Sequence, residues 1–501
     1  MLSHFNSSLQ EVAPLSYAFI GSYFLNPYYA RFGEALNLAS ERVLATAPDG
    51  DDEDTSVPQA AAGAQRRTQP YTLVRAKNVG MTAILLFARD PDSIRKIEEA
   101  ECGFGAADMG NKGAVGLRVT WGGQEDSVEL NKTTELTFVA THLAAMEWNL
   151  KKRNANWRSI VSGLTFANPR NILPGGAFPT NRAAPIPDRS GAGDIAPRLP
   201  TGDSPDPSEE EEEEEDQAEA ESESTHPLLP QEPDQEPLLS PAHLAALHSI
   251  SVYKPTSHLF VAGDLNYRIS ATTPPPLSAF PSFDPASENY FPSFLSRDQL
   301  TRERKANRTL NGLSEAEITF GPTYKFDVLE GPEGADNEEE VRRGERRDGV
   351  AVVPWRFAGH RWPGWCDRVL YLDVPGWVKG KKKIEVRAYD GMPVMAVSDH
   401  RPVFWRGDVP LLGEGEMQPP SVLAADSGDE EEEEEGGWGD DPRVRLPVPV
   451  DVHAWERRAA ARRKEVVVGW SAFVWSTPEG AMLMATALAL GFVSWWFLRG
   501  G

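Results

Sequence analysis

With 501 residues, 40% of them hydrophobic and 14 of them Trp, the chain is too apolar to be disordered throughout and long enough for one large domain with insertions. A formal net charge of −25 speaks against the basic face that a nucleic-acid enzyme needs, although much of the charge is concentrated in two short runs. Two cysteines, Cys102 and Cys366, exclude a disulfide framework and fit a reducing compartment such as the cytosol.

No basic stretch precedes an apolar one at the N-terminus, so no signal peptide is expected. Leu73 to Val79 and Met81 to Ala88 read as neighbouring strands, and Leu117 to Trp121 and Leu136 to Ala140 as two more. Ala144 to Leu164 reads as a helix with Trp148, Trp157 and Ile160 facing inward. Residues 166–245 are rich in Pro, Gly, Ser and Glu, including the run Glu209 to Glu215, and are expected to be a disordered insertion. Strand signals resume at His258 to Ala262, and residues 331–350 form a second, shorter charged insertion that is likewise expected to be disordered. An acidic linker containing Glu430 to Glu435 follows. Gly480 to Leu498 is uncharged and close to the roughly 20 residues that span a bilayer core. Trp495 and Trp496 near its end, and Arg457, Arg458, Arg462, Arg463 and Lys464 before it, fit a C-terminal anchor with the rest of the chain in the cytosol. A buried core helix is the competing reading. No internal repeat is visible, and β-rich segments without a regular βαβ rhythm point to a sheet sandwich flanked by helices.

Four groups of residues carry chemistry. Gly263-Asp264-Leu265-Asn266-Tyr267 follows a strand, so Asp264 can orient water or accept a proton, and Asn266 can meet a phosphate oxygen without repulsion. The same letters also make an ordinary turn. Ser398-Asp399-His400-Arg401-Pro402 pairs an acid with an imidazole, and His142 directly follows a β-rich run. A hard cation such as Mg²⁺ needs few carboxylates, and Glu11 is the one early acid in an apolar setting. Cations come from Gly110-Asn111-Lys112-Gly113, whose Gly-flanked loop presents Asn111 and Lys112, from Tyr324-Lys325, and from Arg361 and Arg368. Each cation alone reads as a solvated surface charge.

Taken together, these segments resemble the inositol polyphosphate 5-phosphatase family of the endonuclease/exonuclease/phosphatase superfamily. The matching stretches are Leu9 to Pro14, Gly110 to Val115, Thr141 to Ala145 with Glu147 and Arg153-Asn154 behind, and Gly263 to Ile269. Ile318 to Phe326, Trp365-Cys366-Asp367-Arg368 and Ser398 to Val403 complete the set. With its C-terminal apolar segment the chain is similar to the fungal tail-anchored members of the endoplasmic reticulum. The resemblance implies a DNase I-like, four-layered α/β sandwich of two packed, mostly antiparallel sheets flanked by helices. It implies a catalytic domain at 1–408, a linker at 409–465 and a membrane segment at 466–501. It further implies Mg²⁺-dependent hydrolysis of an inositol 5-phosphate, with a phosphoinositide headgroup and a membrane as partners and no nucleic acid. Glu11 is then the Mg²⁺ ligand and Asp264 the group that activates water. Asn266 and His142 contact the scissile phosphate, and His400, oriented by Asp399 or Asp367, stabilises its charge. Lys112, Tyr324 and Lys325 read a neighbouring 4-phosphate. Family members begin with a strand carrying Thr-x-Asn some tens of residues before the Gln-Glu. That strand has no counterpart here, and Asn6 is too near Glu11 to replace its Asn.

Two other readings compete. A nuclease of the same superfamily predicts a basic face, and a catalytically weak, membrane-tethered adaptor that binds inositol lipids is favoured by the missing strand.

Overall fold

The computed structural model describes residues 4–46, 70–122, 133–172, 240–347, 350–420 and 440–499. Met1–Pro169 and Leu247–Gly501 form one compact unit. The second unit, Arg170–Ala246, is described only at residues 170–172 and 240–246. The acidic runs Glu209 to Glu215 and Glu430 to Glu435, and most of the first insertion, lie outside the described residues.

The first layer begins with β1 (His4–Leu9), α1 (Leu15–Ile20) and α2 (Ser22–Thr46). The expected strand pair follows as β2 (Thr72–Val79) and β3 (Thr82–Ala88), antiparallel across the turn at Gly80. Then come β4 (Ile94–Gly103), β5 (Gly113–Gly122), β6 (Thr133–His142) and α3 (Leu150–Gly163). After α4 (Pro241–Ile250), β7 (His258–Asp264) pairs parallel to β6. The remaining elements are α5 (Gln299–Lys305), β8 (Phe326–Val328), α6 (Glu338–Arg342), β9 (Arg346–Arg347), β10 (Val350–Ala351), β11 (Trp355–Phe357), β12 (Asp367–Tyr371), β13 (Glu385–Gly391), β14 (Val403–Asp408), α7 (Glu414–Met417), α8 (Ala454–Ser476) and α9 (Pro478–Arg499).

Two sheets carry the sandwich, one ordered β1-β3-β2 and one ordered β12-β7-β6-β5-β4. Strand alternation sends each sheet's side chains to two cores. Ile84 and Leu86 of β3 meet Val115, Leu117 and Val119 of β5 between the sheets. The opposite face of β3, through Ala83, Leu85 and Phe87, packs on Leu25 and Tyr29 of α2. Val139, Leu259 and Val261 pack beneath Trp157, Ile160 and Val161 of α3. The order helix, sheet, sheet, helix is the expected four-layered α/β sandwich. Each fully buried Leu, Ile or Val in these cores contributes on the order of 2 kcal/mol.

Three local expectations change. The helix starts at Leu150 rather than Ala144, because Arg153 Nη1 takes up the carbonyls of Ala144, Ala145 and Met146 and holds residues 144–147 as a loop. Trp157 and Ile160 are buried as expected, but Trp148 is 53% exposed on that loop. Much of residues 331–350, expected to be disordered, forms α6 and the β9–β10 pair. Asn337 exchanges hydrogen bonds with Val353 O (2.9 Å) and Trp355 N (3.1 Å), and Asp336 accepts from Phe357 N at 2.8 Å.

The C-terminal region differs most. Residues 440–476, expected to be linker and the start of the membrane segment, are built onto the domain. Arg443 donates to Asp373 O (2.8 Å), Asp451 N to Ser162 O (2.9 Å) and Trp455 Nε1 to Thr165 Oγ1 (2.9 Å). Thr477 breaks the helix, and its hydroxyl accepts from Gly480 N at 3.0 Å, starting α9. Helix α9 is long and apolar enough to cross a membrane, with mean hydropathy 1.8 and its large apolar side chains exposed.

Candidate active site

Strand register assembles the site. Gly113 of β5 stands opposite His142 of β6, His142 beside Asp264 of β7, and Asp264 opposite Asp367 of β12. Four of the sequence motifs therefore meet in one row at one edge of the sheet, outside the carboxyl ends of the parallel pair where α/β folds bind ligands. Gly263 makes this row possible. Its φ is +149°, and a Cβ there would lie 1.9 Å from Thr141 O, so only glycine lets β6 and β7 approach.

Asp264 is fixed from two sides. Asn266, whose φ of +54° is one that Asn tolerates, donates its backbone N–H to Oδ1 at 2.9 Å and Nδ2 to Oδ2 at 2.8 Å. His142 Nε2 lies 3.3 Å from Asp264 Oδ2 and 3.1 Å from Lys112 Nζ. Burial works against the Asp264 carboxylate, but the His142 hydrogen bond and the charges of His400 and Arg268 hold it well below the ordinary carboxylate range.

Across the row, His400 Nδ1 is 2.8 Å from Asp367 Oδ2. Of the two acids expected to orient this imidazole, Asp367 does so. Burial disfavours the imidazolium, yet Asp367, with Asp264 and Asp399 beyond, raises His400 to about 10. Burial, partly offset by His400, raises Asp367, and Asp264 adds repulsion. Asp399 is 45% exposed and faces Lys325 Nζ at 3.6 Å. The Tyr324 ring lies 4.7 Å from the His400 ring.

Other expected residues fall elsewhere. Arg368 was expected to face an anion, but strand alternation sends it to the opposite face from Asp367, where it is fully buried against Asp298 (3.1 Å) and Glu315 (2.7 Å). Arg361 is buried 3.6 Å from Glu147 rather than presented at the surface. Asn111 packs its amide against Gly105 and shapes the loop. The Asn266 amide is engaged with Asp264 and Leu143 O (3.2 Å), so it orients the acid instead of standing open to a phosphate. Glu11 follows β1 with φ +51° and is exposed, while its neighbour Gln10 donates to Thr141 O at 3.4 Å beside His142.

Two residues of the site were missed. Arg268 donates to the Asn266 side chain and to Asn266 O (3.1 Å) and stacks 4.3 Å over Tyr324. Its place two residues after Asn266 was the available signal. Thr323 Oγ1 accepts from Cys366 N (3.1 Å) and Asp367 N (3.2 Å), joining two motifs that sequence shows only as separate words.

One oxygen each from Asp264 and Asp367 and a nitrogen from His400 lie within 4.8 Å of one another, and among the described residues this is the cluster suited to a metal. Two buried carboxylates that repel one another fit a hard divalent cation such as Mg²⁺. With two acids, two imidazoles and the Lys112 ammonium at one strand edge, the arrangement can bind a phosphate ester and direct water at it.

Residues 7–406 match the Endonuclease/Exonuclease/phosphatase family 2. Human phosphatidylinositol 3,4,5-trisphosphate 5-phosphatase 1 is 31% identical over 150 residues, covering 30% of this chain and 11% of that protein. Type I inositol polyphosphate 5-phosphatase 13 of Arabidopsis thaliana is 28% identical over 309 residues, 60% of this chain and 20% of that protein. Polyphosphatidylinositol phosphatase INP53 of Saccharomyces cerevisiae is 23% identical over 337 residues, 67% and 19% respectively. The matches thus span 11% to 20% of the length of these curated relatives. Among solved structures, the inositol polyphosphate 5-phosphatase domain of SPsynaptojanin, in complex with inositol (1,4)-bisphosphate and calcium ion, matches with a TM-score of 0.42 and 19% identity, covering 81% of this chain and 74% of that one.

Proposed function

The chain belongs to the Endonuclease/Exonuclease/phosphatase family 2, and on that premise we propose that it removes the 5-phosphate of phosphoinositides, converting phosphatidylinositol 4,5-bisphosphate to phosphatidylinositol 4-phosphate with Mg²⁺. The observation that carries this reading is the row of Lys112, His142, Asp264 and Asp367 closed by His400. The relatives, which act on inositol phosphates by name, support the substrate class.

Asp264, held ionised and fixed by Asn266, positions the attacking water by accepting a hydrogen bond from it. His142 faces the scissile phosphoryl oxygens, and Lys112, which the resemblance gives to the 4-phosphate, is reassigned beside it because its Nζ lies 3.1 Å from His142 Nε2. Charged His400, braced by Asp367, offsets the charge that develops in line. Asp264 and Asp367 would hold Mg²⁺, with Glu11 as the further ligand that the family resemblance implies. When bound, the ion neutralises phosphoryl oxygens and polarises the ester. Tyr324 and Lys325, beside His400 and Asp399, are assigned to the neighbouring 4-phosphate.

Helix α9 is assigned as the anchor, holding the enzyme at the cytosolic face of a membrane, the endoplasmic reticulum by resemblance to the tail-anchored members. Phosphate release from short-chain phosphatidylinositol 4,5-bisphosphate, with and without Mg²⁺, tests the reading. We expect release by the full chain with Mg²⁺ and none above background from Asp264→Ala.

A further inference from the structure

The loop that presents Lys112 is held from outside the matched family region. Gly110 uses both of its backbone groups. Its carbonyl accepts from Met81 N at 3.2 Å, and its N–H donates at 2.8 Å to Oε1 of Glu465, which lies on α8. Gly80 and Gly110 are in such close approach that a Cβ on Gly80 would lie 2.0 Å from Gly110 O. The loop is thus clamped between the β2–β3 turn and α8. Two residues on, Lys112 O accepts from Phe104 N (3.0 Å) and Gly105 N (3.1 Å), and Lys112 Nζ reaches His142.

Glu465 is fully buried and would be costly there without its partners. Arg458 donates to both of its oxygens, and Arg462 Nη1 lies 3.2 Å from Oε2. Burial disfavours the charged carboxylate, yet Arg458 and Arg462 hold it below the usual range. The same two arginines extend the brace. Arg462 donates to Phe19 O and Ile20 O (3.0 Å), closing the C-terminal end of α1, the first helix after Glu11. Arg458 Nε lies 3.6 Å from Glu101 of β4, and Lys464 Nζ donates to Ala107 O at 3.3 Å. The chain passes from α8 through the break at Thr477 into α9.

We infer that Glu465 is a positioning residue, fixing through the Gly110 N–H the loop that carries Lys112 to His142, so that the helix leading to the membrane segment is part of the active-site scaffold. The inference rests on the phosphatase reading for its catalytic consequence, and on geometry alone for the loop.

Removing Glu465 alone would strand Arg458 in the interior, so the test pairs Arg458→Met with Glu465→Leu in the full chain, in detergent–lipid micelles. Measured on short-chain phosphatidylinositol 4,5-bisphosphate, this pair should lower kcat/KM about tenfold, the worth of one charge-assisted hydrogen bond. In a Lys112→Ala background the same pair should cost less than about twofold, because both changes act on one loop. Glu465→Gln in the Arg458→Met background, which keeps an acceptor for Gly110 without an unpaired Arg458, should retain more than half of the wild-type kcat/KM. Additive losses, or a Gln variant as impaired as the pair, overturn the inference. Amide exchange over residues 104–113 decides the loop contact separately. It should quicken at least about tenfold in the pair, and unchanged exchange overturns the inference even where phosphate release succeeds. If the wild-type chain released no phosphate, the phosphatase reading would fail while exchange still decided the loop.

Discussion

Asp367 stands directly opposite Asp264 in the β7–β12 register, and its Oδ2 lies 2.8 Å from Nδ1 of His400. One residue therefore serves both halves of the site. It repels Asp264, forming a pair of carboxylates that would suit a divalent cation, and it raises the pKa of His400. Replacing it by Asn should weaken Mg²⁺ activation about 10- to 100-fold and also lower kcat at saturating Mg²⁺. Titrating Mg²⁺ against rate separates the two effects. A variant that loses only one of them breaks the shared role.

Lys112 and Arg368 looked alike in sequence and should behave oppositely. Lys112→Ala removes a cation beside His142 and should lower kcat/KM about 100-fold with little change in urea midpoint. Arg368→Met leaves Asp298 and Glu315 buried without their partner and should cost about 3 to 5 kcal/mol of stability. The kcat/KM of the protein that remains folded should stay within about threefold. Urea unfolding followed by Trp fluorescence, beside initial rates, reads both.

His258 gives the fold an acid limit. Its Nε2–H donates to Pro410 O at 3.1 Å, and burial pulls its pKa down to about 4. The unfolded chain, with an ordinary pKa near 6.5, binds the extra proton between those values. Its contribution is therefore complete above about pH 6.5, falls as pH drops towards 4, and levels off below. The shift is worth up to roughly 3 kcal/mol. His258→Gln should flatten this part of the stability–pH profile measured by urea unfolding from pH 7 to 4. An unchanged slope would assign the acid sensitivity elsewhere.

The C-terminal helices should separate on truncation. Ending the chain after Ser476 removes α9, and should abolish flotation with vesicles while leaving the melting temperature within a few degrees. Ending it before Ala454 also strips Ala461, Glu465, Gly469 and Phe473 from their buried places, and should lower the melting temperature by about 5 °C or more. Equal melting temperatures for the two truncations would show that α8 is not part of the domain.

Much of this was legible in the chain, for reasons that can be named. His142 and Asp264 each end a short β-branched or aromatic run and Asp367 begins one, so all three are legible as strand termini. The row they form is a matter of register, which no local pattern encodes. Arg368 misled because its neighbour Asp367 faces the site, and the period of a strand puts adjacent residues on opposite faces. Asn266 reads in sequence as a phosphate contact, whereas in the fold its amide oxygen accepts from the buried cation Arg268. The largest miss was α8. Arg457, Arg458 and Arg462 read as the basic flank of a membrane segment, and only tertiary structure reveals that Arg458 and Arg462 neutralise one buried carboxylate.

The proposed activity of this strand-edge row is hydrolysis of one particular phosphate. The full chain, incubated with Mg²⁺ and either phosphatidylinositol 4,5-bisphosphate, 4-phosphate or 5-phosphate, should be assayed for the position of the phosphate that remains. Phosphatidylinositol 4-phosphate should be the product of the bisphosphate, with no turnover of the 4-phosphate and loss of activity in Asp264→Ala. Release of the 4-phosphate, or release equal in wild type and Asp264→Ala, would contradict the proposed activity.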